Sequence, residues 1–149
     1  LDALSLDSGR LMGNTSLSID LKNADLDNRG GLVSAKGPLT FKRVRDFINQ
    51  SGEISSSQSF ELNGRALDNT NGKVISSDVL TVATDSVNNQ NGLLSGWQRL
   101  DVHGKSLDNR NNGTLSSRNG WVGVDLSGAL LNSGGGALVS QTALTVTSD

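Results

Sequence analysis

The sequence predicts an all-β chain wound as a parallel β-helix, a solenoid of about seven rungs. Three observations predict it. A set of positions keyed to a glycine recurs seven times, at Gly9, Gly31, Gly52, Gly72, Gly92, Gly113 and Gly136. The intervals of 22, 21, 20, 20, 21 and 23 residues are too short for a self-sufficient domain. Such a unit buries its apolar face only against the units above and below it. Within each repeat the apolar residues stand two apart, which is strand spacing, because alternate side chains share a face. Nothing recurs at three and four over more than one turn, so helices are excluded.

Each rung can be followed outward from its glycine. Two residues on stands an aliphatic side chain: Leu11, Val33, Ile54, Val74, Leu94, Leu115 or Leu138. Four residues on stands a small one: Gly13, Ala35, Ser56, Ser76, Gly96, Ser117 or Ser140. That column marks a corner with room for little more than a methyl group. Eight and ten residues on come two further apolar columns, such as Leu39/Phe41, Phe60/Leu62 and Leu80/Val82. The sixth rung fits as Val122/Val124 when Gly120 is taken as an insertion. Each rung therefore reads as three short strands separated by corners. The keyed glycine is expected to hold a positive φ that other residues adopt at a cost.

Just before the next glycine, a large apolar residue is followed two positions later by asparagine. The asparagines are Asn28, Asn49, Asn69, Asn89, Asn109 and Asn132. The first copy has Leu4 and Leu6 there instead. Parity with the apolar residue points the amides inward, where an unpaired one costs roughly 1–3 kcal/mol. Stacked about 4.8 Å apart, they can bond to each other and to corner backbone groups as a structural asparagine ladder. A row of metal ligands is the weaker reading, because amide oxygens bind poorly without carboxylates beside them.

Composition agrees with a slim solenoid. Leu, Ile, Val and Phe make up about 27% of the 149 residues, above the roughly 20% that signals disorder. Net charge is −2, proline occurs once (Pro38), and there is no cysteine, so disulfides and thiol chemistry are excluded. No apolar run approaches membrane-spanning length. The chain starts in mid-pattern and stops after a strand pair, so residues 1–149 are expected to be one slice of a much longer filament.

The rung text LDNRGGLVSAKGPLTF (26–41), LDNTNGKVISSDVLTV (67–82) and LDNRNNGTLSSRNGWVGV (107–124) resembles the haemagglutinin repeats of filamentous haemagglutinin-like exoproteins. The resemblance covers essentially the whole chain. It implies a right-handed, single-stranded parallel β-helix, secreted and displayed on a bacterial cell surface. It also implies export through an outer-membrane two-partner-secretion transporter. Such filaments act as adhesins towards a host or neighbouring-cell receptor or glycan, or as stalks that present contact-dependent growth-inhibition toxins. The expected function is a structural and adhesive rod segment, with the passive toxin stalk as the alternative.

A carbohydrate-active enzyme is the least supported reading. It would need paired carboxylates converging on one face. Register instead places Asp101 between Thr81 and Gly123, and separates Asp68 from Asp108 by Asn88. His103 falls beside Asp125, read as an exposed ion pair with no nucleophile near it. Calcium-binding β-roll nonapeptides are absent, because Gly134–Gly136 is followed by Ala137 and Leu138. No catalytic residue, metal or cofactor is expected. Lys42, Arg43 and Arg45 form the one basic cluster, read as a solvated corner, and a negative chain with few aromatics offers nothing for nucleic acid.

Two tryptophans remain. Trp121 should stack one rung from Arg99 as a cation–π pair. With Trp97 close by, Trp97, Arg99 and Trp121 are the candidate platform for a sugar ring. The bland alternative has both indoles covering a widened corner.

Overall fold

The computed structural model describes residues 3–149. It is an all-β solenoid of about seven turns, and every strand pair in it is parallel.

Short strands directly follow the keyed glycines: Arg10–Gly13, Leu32–Ala35, Glu53–Ser56, Lys73–Ser76, Leu93–Gly96, Thr114–Ser117 and Ala137–Ser140. They stack in chain order as one seven-stranded sheet. The register pairs Leu11 with Val33, Val33 with Ile54, Ile54 with Val74, and onward to Leu138. Val33, Ile54, Val74, Leu94 and Leu115 are wholly buried. The apolar column two past the glycine is therefore one wall of the core.

The rest of each rung belongs to a second sheet of ten strands. Here the structure differs from the expectation of three separate strands. Leu17–Asp27, Leu39–Ile48, Phe60–Asp68 and Val79–Asn88 each run through the second corner without leaving the ladder. Only the fifth and sixth rungs divide there, into Arg99–Gly104 with Ser106–Asp108 and Trp121–Leu126 with Leu130–Leu131. The bend is made inside the strand. In the first two rungs positive φ at Lys22, Asn23 and Arg43 turns the chain, with the register slipping between Asp20 and Ala24. Higher up, Gly64 and Gly104 let the bend lie close against the rung below, where a Cβ would run into the Arg45 and Thr84 carbonyls. Parity alone showed three faces but not that two of them share one ribbon.

The insertion at Gly120 holds the sixth rung in register: Leu100 pairs with Val122 and Val102 with Val124. A Cβ at Gly120 would collide with the Gln98 carbonyl. The small column works as a corner, and its serines also bond there. Ser56, Ser76 and Ser117 donate to the carbonyls of Gly37, Gln58 and Trp97 at 2.7, 2.8 and 3.1 Å. The same hydroxyls accept from the backbone N–H of Gln58, Asp78 and Gly120. Corner backbone groups that neither sheet can pair are satisfied in this way.

Candidate functional site

The asparagines form an internal column. Asn28 Nδ2 donates to Asn49 Oδ1 at 2.8 Å, Asn49 to Asn69 at 2.7 Å, and Asn69 to Asn89 at 2.8 Å. Asn89 continues to Asn109, and Asn109 to Asn132, each at 2.8 Å. The second amide hydrogen reaches backbone carbonyls of the next rung, at Glu53, Lys73, Leu93, Thr114 and Ala137. Asn28 through Asn109 have no solvent exposure. Every donor points the same way along the axis.

The keyed glycines need a correction. They do not carry the positive φ; the residue before each of them does, at Ser8, Gly30, Ser51, Asn71, Asn91, Asn112 and Gly135. In rungs two to five the turn closes with the glycine N–H donating to the asparagine carbonyl, as from Gly52 to Asn49 at 3.1 Å and from Gly72 to Asn69 at 3.0 Å. The left-handed residue then sits third in the turn. What the glycine supplies is an absent Cβ. At Gly52 a Cβ would lie 2.7 Å from Asn49 Oδ1 and closer still to the Asn28 carbonyl, and Gly72 and Gly92 repeat the arrangement one rung on. Glycine and asparagine are thus two halves of one device.

The column has an open end. Asn28 Oδ1 is buried and accepts nothing, because Leu6 occupies the matching place in the rung below. The Leu6 N–H donates to the Asp27 carbonyl at 2.9 Å, just as the Asn28 N–H donates to the Ile48 carbonyl at 2.7 Å. The backbone is therefore already set for another amide. Leu6→Asn is expected to raise the urea midpoint, since pairing a buried acceptor is worth about 1 kcal/mol. Leu6 is only half-buried, so less apolar packing is lost than in the core. A lowered midpoint would show that the orphan oxygen costs nothing.

Seven ion pairs lie among the described residues, four of them between rungs. Arg43 holds Asp20 at 2.6 Å and Arg45 holds Asp25 at 2.9 Å, while Arg65 holds Asp46. Within a rung, Arg29 pairs with Asp27 and Arg110 with Asp108. Hydrogen bonds from Arg43 lower the Asp20 carboxyl to about 2. Arg45, Arg29 and Arg110 lower Asp25, Asp27 and Asp108 in the same manner. Two of the three cations in the basic cluster are therefore already engaged. His103 and Asp125 are register partners, but they form no ion pair, unlike the expected exposed bridge. Among the described residues, no group of three or more His, Asp or Glu side chains is placed to hold a metal ion.

Arg99 and Trp121 are also register partners, and the guanidinium carbon lies 3.8 Å from the indole centroid. The indole leans along its strand over Gly123, whose missing side chain leaves it room. Arg99 Nε is 2.6 Å from Asp101 Oδ2; its N–H is not aligned on the oxygen, so this is an ion pair without a hydrogen bond. Asp101 is buried beneath the pair although it points outward. Cation, ring and carboxylate thus hold each other.

Trp97 stands elsewhere. It lines a groove of about 460 Å³ on the outer face of the short-strand sheet, with Ile75, Leu93, Ser95, Ser116 and Arg118. Neither Arg99 nor Trp121 lines that groove. The structure brings Arg99 and Trp121 together, while Trp97 lines a groove of which they are not part. Arg118 carried no signal in the sequence beyond its place one residue past the small corner column.

Stacked rungs that keep register beyond the slip at the first bend, with an internal amide column and ion pairs between neighbouring rungs, define a repeat rod. A family model for the haemagglutinin repeat matches the chain twice, over residues 10–95 and 76–149. The chain belongs to that family, whose members are secreted, surface-exposed proteins built on a structural, adhesin-type repeat. Compared with the curated proteins and with the solved structures, it matches none.

Proposed function

We propose that this chain is a rod segment of a large secreted bacterial surface protein, and that the rod is adhesive. One observation carries the reading: both sheets and the asparagine column keep register from rung to rung across the sixth-rung insertion. Such a stack lengthens by about 4.8 Å per rung and presents its whole side surface to other molecules. The partners are a receptor or glycan on a host or neighbouring cell. Export through an outer-membrane two-partner-secretion transporter suits a chain whose repeats fold one on another.

A passive stalk for a growth-inhibition toxin is the second reading. It is favoured by the inter-rung ion pairs, which commit Arg43, Arg45 and Arg65 to neighbouring rungs rather than to a ligand. Beads coated with residues 1–149 separate the two. Retention on epithelial or bacterial cells above albumin-coated beads supports the adhesive rod. Retention no better than albumin on any cell type overturns adhesion and leaves the stalk.

A further inference from the structure

Ser95 is an outward-facing residue of a surface strand, yet it is only 8% exposed. It forms the floor of the groove beside Trp97. There Ser116 Oγ donates to Ser95 Oγ at 3.2 Å, and both hydroxyls line the groove with further hydrogen-bonding capacity. Ile75 and Leu93 form an apolar flank. Trp97 stands at the corner with 45% of its surface open, the most exposed aromatic in the chain. The other aromatics are committed: Phe47 and Phe60 lie in the core, Phe41 packs edge-on to Phe47, and Trp121 carries Arg99.

Arg118 completes the groove. Six of the eight arginines are ion-paired, whereas Arg118 and Arg10 have no such partner among the described residues. Arg118 is exposed and also lines a second depression of about 310 Å³ with Ser116, Ser117, Val139, Ser140 and Gln141. The two depressions share Ser116 and Arg118, so the groove continues along the axis towards the next rung. A chain-like ligand can therefore enter at one end and leave at the other.

We infer that this groove binds an anionic sugar residue within a polysaccharide, with the ring stacked on Trp97 and its acidic group held by Arg118. An open indole offers a flat apolar surface to the C–H face of a pyranose. The serine hydroxyls meet the ring hydroxyls, and the guanidinium fork matches a carboxylate or a sulfate. A groove of a few hundred Å³ with an apolar wall and a few convergent polar groups suits a ligand of this size. The inference deepens the adhesive reading above and rests on it.

Hyaluronan hexasaccharide (carboxylate only), a dextran sulfate fragment (sulfate only) and maltohexaose (neutral) are titrated into the ¹⁵N-labelled chain. The two indole N–H signals are assigned with Trp121→Phe. The Trp97 signal is expected to move with at least one anionic probe and the Trp121 signal to stay still; whichever anion binds names the acidic group. Trp97→Ala and Arg118→Gln should each weaken binding at least about tenfold, whereas Arg10→Gln and Trp121→Ala should change it less than about twofold. All four sites lie outside the core, and circular dichroism melts confirm that each variant is folded.

The groove is refuted if neither anion moves the Trp97 signal, if maltohexaose binds as well as they do, or if Arg10→Gln costs as much as Arg118→Gln. Cell-bound beads that keep binding after Trp97→Ala and Arg118→Gln remove the groove while the adhesive rod stands. Beads that never bind cells, with the hexasaccharide titration intact, remove the adhesive rod instead.

Discussion

Asn69→Leu is expected to lower the urea midpoint more than any substitution of an exposed asparagine. Asn69 Nδ2 donates to Asn89 Oδ1 at 2.8 Å and to the Leu93 carbonyl at 3.1 Å, while its own Oδ1 accepts from Asn49 at 2.7 Å. Leucine has a similar volume and fills the space, so the change acts through pairing rather than through a cavity. It strands an acceptor on Asn89 and a donor on Asn49, both fully buried, and removes a bond to the part-buried Leu93 carbonyl. With each unpaired group costing roughly 1–3 kcal/mol, the total is on the order of 3 kcal/mol or more. That is a large share of the roughly 5–15 kcal/mol that holds a typical domain folded. Asn119→Ala breaks only an exposed contact to Gln98 and should stay within about 0.5 kcal/mol of the parent. Equal midpoints for the two variants would mean that the column contributes no more than surface polarity.

What was legible in the sequence followed from parity and period. The inward columns, the stacking of Arg99 on Trp121 and the accommodation at Gly120 need only a count of residues, because strand side chains alternate strictly and register is locked by the buried face. The ribbon that runs unbroken through the second corner was not legible. Whether a ladder survives a bend depends on local φ, and Lys22 and Arg43 are ordinary surface residues whose left-handed conformations carry no compositional mark. The position of the turn was misread for a related reason. A glycine recurring beside a turn suggests positive φ, but the same residue also serves where two backbones meet closely. Asn71, Asn91 and Asn112 directly before it were the available clue, since asparagine enters the left-handed region more readily than most residues. The groove was hidden for a third reason. Parity sets Ser95 on the surface, and only the direction in which Trp97 turns across the corner makes it a floor.

The two roles a glycine can play predict opposite signs at adjacent positions. Gly52→Ala adds a Cβ 2.7 Å from Asn49 Oδ1 and 3.0 Å from Asn28 Nδ2, with the Asn28 carbonyl nearer still. Part of what it meets is backbone of the rung below, which cannot swing aside as a flexible side chain can. The turn must lift off the amide column and lengthen the bonds that the column depends on. Overpacking of this kind costs about 1–3 kcal/mol, and more where the surroundings are rigid. Ser51→Gly lies one residue earlier, at φ 54° and on the exposed side of the turn. There the native residue bears the steric cost of the left-handed region, roughly 1–2 kcal/mol for a side chain with a Cβ. Removing that Cβ relieves it, against the conformational entropy that glycine adds to the unfolded chain. Ser51→Gly should therefore leave the urea midpoint unchanged or raise it, while Gly52→Ala lowers it sharply. If Ser51→Gly destabilises the chain and Gly52→Ala does not, the positive φ belongs to Gly52 after all, and the close approach of the column to the turn is not what requires glycine.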